Sequence, residues 1–226
     1  MIIIDEPNHL DVINQRDTMY PTTMICVKED YLWGESINTV YGFVTEGEFS
    51  ITNQDSNIFI LQEKQYFCLK GPFEIKGSGT LFMIVRYGFQ GIDQVGMSED
   101  NGRLSYIDGC TDTLLVSPPR LGDPCLNYLH FPIGIYQTQH LHPSIRMGIV
   151  IGGKGEAFQE KSAKRDGWNY PLKKGNMFCL EEGEIHSFST DENFMDIIAY
   201  HPDSDFGPTD FNHPMLNRTY IDHGKG

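Results

Sequence analysis

The sequence predicts an all-β fold made of two similar barrels or sandwiches in tandem. Three observations carry that prediction: many short apolar runs punctuated by turn residues, the lack of any clear helical period, and an internal repeat. The runs include VYGFVTEGEFSI, IFILQ, YFCLKG, TLFMIVRYGF, LNYLHFP, MGIVIG, MFCLEEG, HSFST and MDIIAYH. They are rich in Val, Ile, Phe and Tyr and are bounded by Gly, Pro, Asn and Asp, which is the composition of strands and their turns. No segment of helical length keeps an apolar residue on a 3.6-residue period. The best helical candidates are the polar stretches 91–105 and 203–217. Many short strands with frequent turns point to a sandwich or barrel.

The repeat sets the domain count. YGFVTEGEF (41–49) resembles MGIVIGGKGEAF (147–158). QEKQYFCLKG (62–71) resembles KKGNMFCLEEG (173–183), and both copies contain Phe-Cys-Leu. LFMIVRYGF (81–89) resembles FMDIIAYHP (194–202). Three matches in the same order at a nearly constant offset indicate two copies of one β-domain of roughly 100 residues, an ordinary domain size. The division expected is 1–110 and 111–226, with the linker inside the polar stretch 91–113.

Bulk chemistry narrows the partners. The chain has 226 residues, a formal net charge of −14 and a pI near 4.8. Such a chain repels nucleic acid and anionic membrane, so neither is an expected partner. No apolar run approaches transmembrane length. The first residues, MIIIDEPNHL, have neither the basic n-region nor the long apolar core of a signal peptide. The five cysteines are an odd number without a Cys-x-x-Cys pair. They read as reduced thiols in a cytoplasmic protein.

The chemistry concentrates in GIYQTQHLHPSIRMGIVIGG. In a strand, alternate side chains share a face, so His140 and His142 are expected on one face together with Tyr136 and Thr138. Two bare imidazoles inside a small barrel are costly unless something satisfies them, and a divalent metal would. A third histidine, His186, follows an apparent turn at Glu181–Gly183. Together the three can meet one metal facially and leave other positions open.

These two segments resemble the two signature motifs of the cupin superfamily. The first motif is matched by Gly134, His140, His142 and Gly153, and the second by Gly175, Gly183 and His186, with the family's spacings. The match covers the C-terminal half at motif level and reaches the N-terminal half through the repeat. The resemblance implies a bicupin: two jelly-roll barrels in one chain, with a divalent metal (iron foremost, or Zn, Ni or Mn) on His140, His142 and His186. Three departures stand out. Arg146 occupies the place of the first motif's Glu ligand, and Glu181 and Thr190 replace the second motif's Pro and Asn. Arginine has no lone pair to give a metal, so the ligand set implied is three histidines, as in a minority of cupins similar to thiol and diketone dioxygenases.

Arg146 has two readings. Its guanidinium suits a carboxylate or phosphate of a substrate that also meets the metal. Alternatively it is structural and pairs with Glu156, Glu182 or Glu184. In the N-terminal copy the first-motif position has no His-x-His, and Glu74 replaces the last histidine. That copy is read as structural, covering the active barrel or serving a dimer contact.

Other residues have milder readings. His130, just before the first motif, is a candidate to line the cavity beside Tyr136 and Tyr128, or is a hydrogen-bonded core histidine. His201 and His213 are placed beyond the last core strand, in a tail that wraps the barrel or covers the cavity. His9 and His223 read as solvated. Cys125 and Cys179 have no basic neighbour to activate a thiolate, and Cys179 aligns with Cys68, which favours packing.

The function these features imply is a metal-dependent enzyme acting on a small anionic organic molecule, foremost an Fe(II) dioxygenase. The same site with Zn, Ni or Mn would serve a lyase, isomerase or hydrolase. A non-enzymatic small-ligand binder would keep the cavity and show no turnover. Exposed sheet edges make a homodimer a further expectation.

Overall fold

The computed structural model describes residues 1–204. His213, His223 and most of the 203–217 helical candidate lie outside the described residues. The elements are β1 (Ile2–Ile4), β2 (Val12–Gln15), β3 (Thr22–Val27), β4 (Tyr31–Trp33), β5 (Asn38–Asn53), β6 (Ile58–Gln62), β7 (Gln65–Lys70), β8 (Phe73–Tyr87) and β9 (Gln94–Met97). They continue with β10 (Leu104–Ser105), a single 3-10 turn (Ile107–Gly109), β11 (Thr111–Val116), β12 (Cys125–Phe131), β13 (Arg146–Gln159), β14 (Trp168–Lys173), β15 (Met177–Leu180), β16 (Ser187–Ser189) and β17 (Met195–His201). There is no α-helix among the described residues, so the candidate at 91–105 resolves instead into β9, β10 and irregular chain. Its polar residues serve short edge strands, where a solvated face satisfies period 2 as easily as period 3.6.

Two sheets form. One has the order β2-β3-β8-β5-β7-β9, with β4 on β8 and β6 on β5. The other has the order β1-β15-β13-β17-β12-β11-β10, with β14 and β16 both on β13. Each folds round a long strand, β5 or β13, that pairs at one end with the central sheet and at the other with a hairpin. The jelly-roll expectation holds. Pairing is antiparallel throughout, so each strand presents one face inward and one outward.

The sequence repeat is a repeat of register. Gly42 stands opposite Phe67 across β5 and β7, and Gly148 stands opposite Phe178 across β13 and β15. Tyr41 faces Cys68 as Met147 faces Cys179. In both copies the Phe ring lies over the glycine, where a Cβ would be 2.1 Å from ring carbon. This explains why Phe-Cys-Leu recurs: Phe turns into its own barrel, and Cys turns toward the other.

Three apolar clusters result. The first barrel is filled by Trp33, Phe49, Phe67, Phe73 and their aliphatic neighbours. The second contains Phe131, Phe178, Phe188, Ile197 and Ala199. The third lies between the barrels and joins Met24, Tyr41, Phe43 and Phe82 to Tyr128, Met147, Ile149 and Tyr200. Burying each such side chain stabilises by about 1.5–3 kcal/mol, so the inter-barrel cluster holds the halves as one body. All five cysteines are free and buried. Burial pushes the Cys68, Cys125 and Cys179 thiols up to about 12, as packing rather than reactive groups.

One strand crosses the repeat. β1 pairs antiparallel with β15, Ile3 opposite Phe178, so the chain's first residues extend the second sheet. The Asn176 side chain reinforces the join by donating to Asp5 Oδ1 at 2.7 Å. No helix among the described residues is long and apolar enough to cross a membrane.

Candidate metal centre

The expected strand through the two histidines is an extended but irregular segment. It meets the chain at 183–189 through separate pairs rather than a ladder. Tyr136 bridges Ser189 and His140 bridges His186. His140 and His186 exchange backbone hydrogen bonds of 3.0 and 2.9 Å, and Gly183 N–H donates to the His142 carbonyl at 2.9 Å. Between the bridges, Thr138 N–H is drawn off to Asp108 Oδ2 at 2.6 Å. This break shifts the alternation. Gln137 points inward at 1% exposure, while Tyr136 is 63% exposed. Tyr136 therefore does not share a face with the histidines. Its ring packs on Phe158, its hydroxyl donates to Glu160 at 2.9 Å, and it borders an outer groove.

His140, His142 and His186 converge. Each offers a ligand nitrogen, and the three lie within 4.8 Å of one another. The ring centroids are 5.2, 4.4 and 5.1 Å apart. His140 Nδ1 lies 2.9 Å from the Thr138 carbonyl and His186 Nδ1 lies 2.9 Å from the Glu184 carbonyl. A carbonyl only accepts, so both Nδ1 atoms carry the proton and each Nε2 presents a lone pair. Burial, then Arg146 and the other two imidazoles, holds His142 down at about 3; burial above all holds His186 at about 4. Both rings are neutral at pH 7, as metal ligands must be.

These residues border a cavity of about 30 Å³, room for one or two water-sized groups. Three buried polar atoms without a partner belong to its lining: His186 Nε2, Gln137 Oε1 and Arg146 Nε. Buried polar atoms are ordinarily satisfied. Their clustering on one cavity, together with the neutral donor set, fits a bound cation with its attendant ligands.

Arg146 begins β13 and lines the cavity. Its Nη1 donates to the Ile145 carbonyl at 3.0 Å and to Asp203 Oδ1 at 3.3 Å. Asp203 also accepts from the Ser144 hydroxyl. The acidic partner is thus Asp203, and none of Glu156, Glu182 or Glu184. Glu156 accepts from Asn169 at 3.0 Å instead.

His201 was placed by the sequence beyond the last strand. It is the last residue of β17 and lines the cavity, 6.1 Å from His142 between centroids. Burial first, then Arg146 and His142, pushes its imidazole well below the usual range. The alternation Met195, Ile197, Ala199, His201 would have found it, since the first three all point inward. Pro202 obscured the signal by suggesting an earlier strand end.

His130 and Tyr128 lie elsewhere. On β12, Leu129 and Phe131 face the second barrel's interior, so Tyr128 and His130 face the first barrel. His130 Nδ1 meets Asp196 Oδ1 at 2.7 Å, and the Tyr128 hydroxyl donates to the Asp100 carbonyl at 2.9 Å. The first barrel has no counterpart to the three-histidine cluster among the described residues; Trp33, Phe67 and Phe73 fill its interior.

Two barrels in series, packed through their outer faces and carrying a histidine cluster inside the second, define a class of tandem jelly-roll protein. The chain has the fold of tandem cupin barrels, as the comparisons with known structures show. It matches a cupin 2 conserved barrel domain protein from Leptotrichia buccalis over 88% of this chain and 95% of that one, at TM-score 0.59 and 14% identity. A putative glyoxylate-induced protein from Pseudomonas aeruginosa aligns over 88% and 81%, at TM-score 0.61 and 17% identity. Oxalate decarboxylase from Bacillus subtilis aligns over 88% and 75%, at TM-score 0.55 and 10% identity. These likenesses establish the fold alone. A curated relative, an acireductone dioxygenase from Tuber melanosporum (strain Mel28), is 27% identical over 112 residues, 49% of this chain and 58% of that protein. The chain therefore spans little more than half the length of that relative. No protein-family model matches.

Proposed function

We propose that the chain is a metal-dependent cupin enzyme that binds Fe(II) on His140, His142 and His186 and acts as a dioxygenase on a small organic anion. The observation that carries this reading is the convergence of three imidazoles on a cavity edged by unpartnered polar atoms. A bound iron there would supply a redox-active Lewis acid with open coordination positions, since only three protein ligands hold it. The partial similarity to an acireductone dioxygenase favours oxygen chemistry over the hydrolytic and lyase alternatives.

The chain's own residues have separable tasks. The Thr138 and Glu184 carbonyls fix the tautomers of His140 and His186. Phe131, Phe178 and Phe188 form the apolar wall of the cavity. Arg146 provides the cation for the substrate's acidic group. Asp203 holds it in place, and the substrate's charge shares the guanidinium with that carboxylate. Gln137 Oε1 offers an acceptor on the same cavity. A space of about 30 Å³ admits only a small ligand. A larger one has to displace the segment around His140 and Leu141, where Leu141 is already half exposed.

The test has two stages. Elemental analysis of the purified protein should show near-stoichiometric metal that is lost in a His140→Ala, His142→Ala double variant. Small carboxylates bearing an enolisable carbonyl should then drive O₂ uptake. Turnover under strict anaerobiosis would move the protein to the lyase, isomerase or hydrolase class. Ligand-induced thermal stabilisation without turnover would make it a binding protein.

A further inference from the structure

The inter-barrel face does not close completely. At one end the barrels part around a cleft of about 420 Å³ lined by residues of both. The second barrel's contribution follows the alternation of its strands. Leu126 and Tyr128 on β12, and Tyr200 and Ile198 on β17, belong to the apolar inter-barrel cluster. The next residues on the same faces are His130 and Asp196, directly opposite each other in register. An apolar interface thus runs out into a histidine–aspartate pair 2.7 Å apart, with side chains only 17% and 15% exposed. In the first barrel the matching strand positions are Lys28 and Thr80, so the pair is not a by-product of the repeat.

The remaining walls of the cleft are apolar or carry balanced charge. Phe43, Ile151 and Phe194 border it, and the Phe194 ring lies 6.1 Å from that of His130. Lys64 pairs with Asp100 at 2.6 Å and Lys174 with Glu63 at 3.4 Å. Glu99 pairs with Arg103. Asp196 is the one carboxylate here whose ion-pair partner is a histidine. It also raises the pKa of the neighbouring Tyr128 hydroxyl, second to burial. Asp196 Oδ2 lies 3.0 Å from where a Cβ on Gly152 would stand, so a glycine leaves the approach to that oxygen open.

We propose that this cleft is a second ligand site, separate from the histidine cluster, that takes a small molecule with a protonated amine and an apolar, preferably aromatic, body. The ammonium meets Asp196, the body lies among Phe43, Ile151 and Phe194, and His130 orients the carboxylate. Aromatic walls favour a cation. The negative field of the whole chain does the same, and an anion would meet Asp196 unfavourably.

The test uses the full chain with ¹³Cε1-labelled histidine, the His130 signal being assigned by its loss in His130→Gln. Benzylamine is the probe, with benzoate and benzyl alcohol as anionic and neutral counterparts. Benzylamine should shift the His130 signal saturably and leave those of His140, His142 and His186 in place. Asp196→Asn should weaken it at least about tenfold, the usual worth of a hydrogen bond to a charged group. Gly152→Ala places a methyl beside Asp196 and Phe194 without altering charge, and it should weaken binding severalfold. If Asp196→Asn fails to fold, Gly152→Ala decides alone. No saturable shift at His130, benzoate binding as tightly as benzylamine, shifts confined to the histidine cluster, or unchanged affinity in Gly152→Ala would each overturn the proposal.

Discussion

Gly42 and Gly148 hold the same place in the two barrels, and replacing each by alanine separates stability from metal binding. A Cβ on Gly148 would lie 2.1 Å from Phe178 Cζ, and one on Gly42 would lie 2.1 Å from Phe67 Cε1. Carbon atoms rest about 3.5–4 Å apart, so either ring must retreat by more than about 1 Å. Neither glycine has a positive φ, so the cost is packing alone. Overpacking of this kind costs about 1–3 kcal/mol. For a chain of this length that lowers Tm by roughly 2–12 °C. The rings differ in what lies behind them. Phe178 borders the three-histidine cavity and Phe67 does not. With only about 30 Å³ there, a displaced Phe178 encroaches on the proposed metal position. Calorimetry of the metal-free proteins should show both variants melting lower by similar amounts, while elemental analysis of the proteins as purified should show metal lost from Gly148→Ala only. An unchanged Tm in both would refute the glycine–phenylalanine register. A destabilised Gly148→Ala with full metal would refute Phe178 as a wall of the site.

Further outcomes follow from the same geometry. The metal-free protein should lose stability as pH falls from about 6.5 toward about 4, because the unfolded state protonates His142 and His186 while the folded state keeps them neutral. Each such group contributes about 1.4 kcal/mol per pH unit in that window, so urea melts of a His142→Asn, His186→Asn variant should show a flatter profile. Asp203→Ala leaves the buried Arg146 without its carboxylate and should cost about 1–3 kcal/mol. Adding Arg146→Met should restore much of that loss in a double-mutant cycle, and full additivity would show that the two do not interact. On the proposed function, Arg146→Lys should raise KM for an anionic substrate by about tenfold or more while leaving metal content intact, because a point charge replaces a planar fork. An unchanged KM would make Arg146 purely structural.

Much of this was legible in the sequence because the fold leaves short, local signatures. Gly153 and Gly183, which anchor the two motifs, stand at φ 64° and 69°, a region that favours glycine. The Phe-Cys-Leu repeat reported a real register, since a ring over a glycine needs both residues. What failed were inferences that assumed uninterrupted strands. Counting by twos put Tyr136 with the histidines. The hydrogen bond from Thr138 to Asp108, 30 residues away, breaks that count. His130 was one residue out of phase with the interior, as the inward-facing Phe131 beside it implies. Arg146's partner, Asp203, lies 57 residues on and carries no local signal. Non-local pairing of this kind is set by topology, which a periodicity argument does not contain.

The pairing of β1 with β15 has a consequence for the order of assembly. Residues 2–4 precede the first barrel in the chain yet complete an edge that is synthesised after it, so β1 must wait while that whole barrel is made and folded. Until it docks, β15 presents an open row of backbone groups, the kind of edge that recruits other chains. Separating the halves at residue 110 would make that exposure permanent in the later half. Anything fused ahead of Ile2 would likewise press on the second barrel and not the first. The strand that backs Phe178 is thus also the latch on the cavity it walls, and residues 2–4 govern a site formed some 140 residues downstream.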